Sequence, residues 1–111
     1  MKIAIPSLGS ELSSPVDNKL GRAENFVIYD TLSKSYEVLE NSENKSLSQG
    51  AGTKTAEMII RKKVNVLLAN NVGPKALKAF ELANIKVFSV PEGISVEKAL
   101  NLYNEGKLSL S

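Results

Sequence analysis

The sequence predicts an α/β fold: a mixed five-stranded sheet with helices on both faces, in the order βββαβαβα, with the second strand antiparallel to the rest. Three observations carry this. An apolar run at 26–30 and an alternating segment at 36–40 are separated only by residues 31–35, with Thr31-Leu-Ser-Lys34 as a turn, so they pair as an antiparallel hairpin. Val64-Asn-Val-Leu-Leu-Ala69 is almost continuously apolar, as a strand covered on both faces must be. The segments flanking it have helical apolar spacing, which places right-handed βαβ units in the second half of the chain.

The first strand is Lys2-Ile-Ala-Ile5, closed by Pro6. A long polar loop with Gly9, Pro15 and Gly21 follows over 7–25 and leads into the hairpin. Residues 41–52 form a second polar loop, rich in Ser and Asn and ending in Gln49-Gly-Ala-Gly52. A helix then runs from Gly52 to about Lys63, since Ala51, Thr55, Met58 and Ile59 share one face, widened by Ala56 and Ile60. After the 64–69 strand, Asn70-Asn-Val-Gly-Pro74 turns the chain, and Pro74 suits a first helical turn. Ala76, Leu77, Phe80 and Ala83 make that helix amphipathic. Residues 85–90 form the last strand, and Pro91-Glu-Gly93 is a turn. Ser95 is the N-cap of a final helix marked by Val96, Ala99, Leu100 and Tyr103, which Gly106 ends.

A length of 111 residues suits one domain, 1–111. The 14 basic and 12 acidic residues leave a net charge of only +2, and no basic stripe with interleaved aromatics appears, so a nucleic-acid partner is not expected. No apolar run approaches the ~20 residues that span a bilayer, and 1–6 is too short for a signal core, so no membrane partner is expected either. The absence of cysteine excludes disulfides and thiolate chemistry and fits a reducing cytoplasm. The absence of histidine removes the usual general base near neutral pH. Ser7 and Ser14 therefore have no histidine to activate them, and Asp30, Glu37 and Glu40 read as a solvated strand face. The expectation is a protein that is not an enzyme, with no catalytic residues and no side-chain metal site; Asp17 alone is too few carboxylates for one.

Ligands of open α/β sheets bind beyond the carboxyl ends of the parallel strands. Three such ends converge here: Pro6 and Ser7 with the loop through Arg22, then Asn70 and Asn71, then Pro91-Glu-Gly93. Helix N-termini at Gly52 and at Gly73-Pro74 add unpaired N–H groups and partial positive charge. Lys19, Arg22, Lys54 and Lys75 add cations. The candidate binding residues are therefore Lys19, Gly21, Arg22, Gly50, Gly52, Lys54, Asn71, Gly73 and Lys75, around an anion-binding cleft. Gly50, Gly52 and Gly73 equally suit tight strand-to-helix turns. Arg22 suits either an anion or a clamp on its own loop through Asp17 or Glu24. Asp17 suits loop bracing.

Four segments together resemble the dinitrogenase iron–molybdenum cofactor biosynthesis family: Met1-Lys-Ile-Ala-Ile-Pro6; Ser14-Pro-Val-Asp17 with Gly21-Arg-Ala23 and Phe26; Gly50-Ala-Gly52; and Asn71-Val-Gly-Pro74. The resemblance covers essentially the whole chain. It implies a ribonuclease-H-like, three-layer α/β/α fold. It also implies a non-catalytic carrier that takes an iron–sulfur or iron–molybdenum cluster precursor and passes it to a protein acceptor. Where the family often has a loop histidine, this chain has Lys19, which cannot ligate iron while protonated but can pair with an anion. Such a cluster would be bound here without Cys or His ligands. The alternative expectation is a protein-interaction or regulatory module that has kept the fold and lost the ligand.

Overall fold

The computed structural model describes residues 1–111. Its elements are β1 (Lys2–Ser7), β2 (Asn25–Asp30), β3 (Ser35–Glu40), α1 (Ser42–Lys45), α2 (Ala51–Arg61), β4 (Val66–Ala69), α3 (Pro74–Leu82), β5 (Lys86–Ser89), α4 (Val96–Asn104) and β6 (Ser109–Leu110). They form one six-stranded sheet in the order β3-β2-β1-β4-β5-β6. The hairpin pairs antiparallel, with Phe26 opposite Leu39, and β1–β4 and β4–β5 pair in parallel, with Ile3 opposite Val66 and Leu67 opposite Val87.

The expected five-stranded sheet and the order βββαβαβα are thus corrected at two places. β6 adds a sixth strand that pairs antiparallel with β5, so β2 is not the only antiparallel strand. α1 adds a single helical turn within the expected 41–52 loop. Neither is long enough to show a period, so no pattern announces it. β1 also runs through Pro6 rather than stopping at Ile5. The Pro6 carbonyl accepts from the Asp17 N–H at 2.9 Å, so the donor-less nitrogen faces that segment and not the β2 ladder. α2 begins at Ala51, with Gly50 as its left-handed N-cap at φ 77°, one residue earlier than expected.

The period-two alternation of the strands divides the core into two. On one face Ala4, Phe26, Ile28, Leu67 and Val87 pack with Ala56 and Ile59 of α2 and Phe80 of α3. On the other, Ile3, Ile5, Val27, Val66 and Leu68 pack with Val96, Ala99 and Leu100 of α4. The sheet is therefore covered on both sides, which makes three layers. Phe26 and Phe80 are fully buried, each removal from water contributing roughly 1.5–3 kcal/mol. Ser95 caps α4 as expected, its Oγ accepting from the Lys98 N–H at 3.0 Å. Gly106 has φ 70° just past the end of α4, where the Lys107 N–H reaches back to the Leu102 carbonyl at 2.9 Å. No helix is long and apolar enough to cross a membrane.

The 7–24 loop belongs to both cores. Its first part is tied to α4: the Val16 N–H donates to Ile94 O at 2.9 Å and the Val96 N–H to Ser14 O at 2.9 Å. Val16 joins the α4-side core, and the chain then crosses the carboxyl end of β1 so that Leu20 and Ala23 join the opposite one.

The carboxylates of Asp30 and Glu37 are both held below their ordinary range, Asp30 chiefly by the Leu32 backbone N–H and Glu37 chiefly by the Lys62 ammonium at 2.8 Å. A depressed carboxylate pKa stabilises the fold above the unfolded-state value of about 4, and that stability is lost as pH falls through the folded-state value. Glu37→Gln is therefore expected to lower the thermal midpoint slightly at pH 7 and to leave it unchanged near pH 2, as read by circular dichroism melts.

Candidate functional site

The sequence between Asp17 and Glu24 is held at both ends by a single side chain. Asp17, 5% exposed, accepts from the Lys19 N–H through one oxygen at 3.0 Å and from the Glu24 N–H through the other at 3.2 Å. This is the bracing role the loop sequence suggests. Across the chain, Asn41 at the end of β3 donates its amide to Gly21 O at 3.3 Å and Ala23 O at 3.0 Å. The Thr55 hydroxyl of α2 lies 2.8 Å from Gly21 O. These attachments press Gly21 directly onto the first turn of α2. A Cβ on Gly21 would sit 2.9 Å from Gly52 Cα, closer than real Cβ atoms come to backbone. Gly21 is thus required by close backbone approach, not by an unusual φ.

Beside this contact lies a cleft of about 590 Å³ lined by Leu20, Gly21, Gly50, Gly52, Thr53, Asn71, Gly73, Pro74, Lys75 and Ala76. Six of the sequence-predicted residues meet there: Gly21, Gly50, Gly52, Asn71, Gly73 and Lys75. Three do not line it. Lys19 is exposed on the loop outside, and Lys54 points along α2, 3.6 Å from Glu57. Arg22 clamps neither Asp17 nor Glu24; it donates to the carbonyls of Lys45 and Leu47 at 2.7 and 2.8 Å and so closes the end of α1. The strand-end turn Pro91-Glu-Gly93 is also outside the lining, because the 7–16 half of the loop and α4 occupy that end of the sheet.

Leu20, Thr53, Pro74 and Ala76 also line the cleft and are outside the nine candidates, as are Asn41 and Thr55 behind it. Ala76 lies in the first turn of α3, so its N–H is one of that helix's orphan donors, a signal present in the sequence. Thr55 sits on the apolar stripe of α2 and reads there as a core residue.

The residues lining the cleft carry several N–H groups that are free of partners within the protein. The first turns of α2 and α3 leave the N–H groups of Gly52, Thr53, Lys75 and Ala76 without an intrahelical acceptor, and both helices direct their positive ends here. The N–H groups of Gly21, Asn71 and Gly73 likewise have no acceptor within the protein. Asn71 holds a left-handed backbone at φ 51°, which Asn tolerates better than most residues. Lys75 is the one charged side chain in the lining, and no carboxylate is among it. The glycines also leave room. A Cβ built on Gly52 or Gly73 would meet nothing within 4 Å, and neither has positive φ, so neither packing nor backbone geometry requires glycine at these positions.

No group of three or more His, Cys, Asp or Glu side chains is placed to hold a metal ion. The donor set of the cleft is N–H, ammonium, hydroxyl and amide, with no thiolate, imidazole or carboxylate. It does not fit direct ligation of iron. It does fit an anion held through its outer atoms.

Residues 1–106 match the dinitrogenase iron-molybdenum cofactor family. The chain belongs to that family. It is 33% identical over 111 residues to an uncharacterized protein of Methanocaldococcus jannaschii, covering 97% of this chain and 89% of that one. Among solved structures, the apo form of the orange protein from Desulfovibrio gigas superposes with a TM-score of 0.95 at 34% identity, over 99% of this chain and 92% of that one. A NifB-like protein from Thermotoga superposes with a TM-score of 0.85 at 39% identity, over 98% and 91% of the two chains. The family membership expected from the four sequence segments is thereby established.

The glycine geometry separates two substitutions that look alike. Gly21→Ala forces backbone apart and is expected to destabilise the protein by roughly 1–3 kcal/mol. Gly52→Ala meets open space inside a helix and is expected to be neutral or to stabilise by up to about 0.5–1 kcal/mol. Urea denaturation of the two variants beside the parent measures both.

Proposed function

We propose that this chain is a single-domain (1–111), non-catalytic carrier that holds a small anionic cargo, a metal–sulfur cluster precursor or an oxyanion, in the cleft between the first turns of α2 and α3. The observation that carries this is the sign of the walls: N–H donors from two helix N-termini, one free ammonium from Lys75 and no carboxylate. The Lys75 amine adds charge that reaches the cleft without fixing the ligand's geometry, as expected of a flexible ammonium.

Two features support the reading further. Gly52 is an unfavourable residue inside a helix, and nothing around it requires its small size except access to the cleft. The relatives add to this: the chain belongs to a family described by the dinitrogenase iron-molybdenum cofactor, and one structural relative is described in an apo form, hence as a protein that takes a bound group. The cargo is bound without Cys or His ligands, through hydrogen bonds and charge, and is released intact to a protein acceptor. Lys19, Arg22 and Lys54, which lie around the cleft rather than in it, contribute through long-range attraction. The strand order β3-β2-β1-β4-β5 with antiparallel β2 supports a ribonuclease-H-like classification, and the cysteine-free composition supports action in the cytoplasm.

The direct test is an anaerobic amide-NMR titration with molybdate, phosphate and an isolated metal–sulfur cluster. Saturable shifts or paramagnetic broadening are expected at 20–21, 50–53 and 71–76. A flat response to all of these probes would overturn the carrier reading in favour of a protein-docking module.

A substitution sharpens the test. Gly73 is the N-cap of α3 with extended backbone at φ −66° and ψ 158°, a conformation in which Asp caps well. Gly73→Asp is expected to keep or raise the melting temperature. The same change places a carboxylate at the cleft and should weaken anion binding about tenfold or more. Parallel loss of stability and binding would point instead to a packing role for Gly73.

A further inference from the structure

We propose that Asn41 and Thr55 are positioning residues for the cleft, and that the Thr55 hydroxyl biases it toward anions by holding the Gly21 carbonyl out of reach. This rests on the anionic-cargo reading above.

Asn41 and Thr55 are 1% and 0% exposed, and both are polar. Burying polar side chains is unfavourable unless they are hydrogen-bonded, so their partners indicate what they are for. Those partners are the carbonyls of the loop wall. Thr55 Oγ1 is 2.8 Å from Gly21 O. Asn41 Nδ2 donates to Gly21 O at 3.3 Å and to Ala23 O at 3.0 Å, while its backbone N–H donates to Glu24 O at 3.1 Å. Asn41 Oδ1 is in turn fixed by the Asn44 amide at 3.0 Å and lies 3.2 Å from Thr55 Oγ1. The carbonyls of Gly21, Ala23 and Glu24 are therefore bonded to the protein body.

The neighbouring N–H groups are left free. The N–H groups of Leu20, Gly21 and Arg22 have no acceptor within the protein. A peptide presents a carbonyl and an N–H of opposite polarity, and which one a ligand meets depends on which is already bonded. Without the network the Gly21 carbonyl would regain its freedom beside the helix ends, and an acceptor there would repel an anion. α2 thus acts on the cleft twice: through its own first turn, and one turn later through Thr55, which orients the facing loop. An aliphatic residue at 55 would fill the core as well, so shape alone does not account for the hydroxyl.

The test compares Thr55→Val, which keeps the branched shape and removes the hydroxyl, with Thr55→Ser, which keeps the hydroxyl. All are titrated by amide NMR with molybdate, phosphate and the isolated metal–sulfur cluster at a temperature where each is folded. Thr55→Val is expected to bind about tenfold or more weakly, with Thr55→Ser restoring most of the affinity. A merely structural hydroxyl would lower the melting temperature of Thr55→Val and leave its affinity while folded unchanged; that result overturns the proposal and leaves the carrier reading intact. A flat response of the parent protein to all of the probes overturns both. If Thr55→Val does not fold, Thr55→Ala, which adds no bulk, is read in the same way.

Discussion

The direct backbone contact between Gly21 and Gly52 is the constraint from which the site follows. It allows a loop leaving β1 to lie against the first turn of α2 with no side chain between them. Close approach alone would leave peptide groups of both signs on the surface. The inward bonds from Asn41 and Thr55 occupy the Gly21 and Ala23 carbonyls, and the first turn of α2 adds N–H groups without an intrahelical acceptor. The opposite wall, from Asn71 to Ala76, reaches the same place because parallel β4 delivers its end beside β1, and the Asn70 amide bonds Asn18 across the gap at 3.0 Å. The cleft is thus a consequence of backbone placement, with few side chains projecting into it.

Such a cleft suits transport better than permanent residence. A thiolate or imidazole ligand exchanges only by breaking a coordinate bond, whereas N–H donors and one ammonium hold an anion through many weak interactions. The donors are fixed by the fold before the ligand arrives, so little ordering accompanies binding. The small overall charge of the chain is no obstacle, since what matters is the absence of carboxylates from the cleft lining.

Much of this was readable in the chain. The hairpin and the buried 64–69 run declared themselves because each fills a whole period of its pattern, and Ser95 and Pro74 marked helix starts through local chemistry alone. Gly50, Gly52, Gly73 and Asn71 were legible as neighbours in one cleft because turn and helix-start rules place them at strand ends and helix starts. What escaped depends on distant partners. Arg22 binds carbonyls 23 and 25 positions away, so its spacing to Asp17 and Glu24 was no guide. Thr55 counted as part of an apolar stripe because its acceptor, Gly21, lies 34 positions earlier. β6 and α1 are shorter than any recognisable repeat, and Pro6 stays within β1 because of a carbonyl partner outside the sheet.

The parallel ladder between β1 and β4, Ile3 to Val66 and Ala4 to Leu67, has a kinetic meaning. The hairpin can close locally, but this ladder joins segments about sixty residues apart and requires a long loop to close first. The cleft draws its walls from both sides of that closure, so it does not exist in a chain that has formed only its local structure. On the proposed carrier reading, cargo is loaded only on the finished protein. By mass action, a loaded chain is also more resistant to unfolding than an empty one.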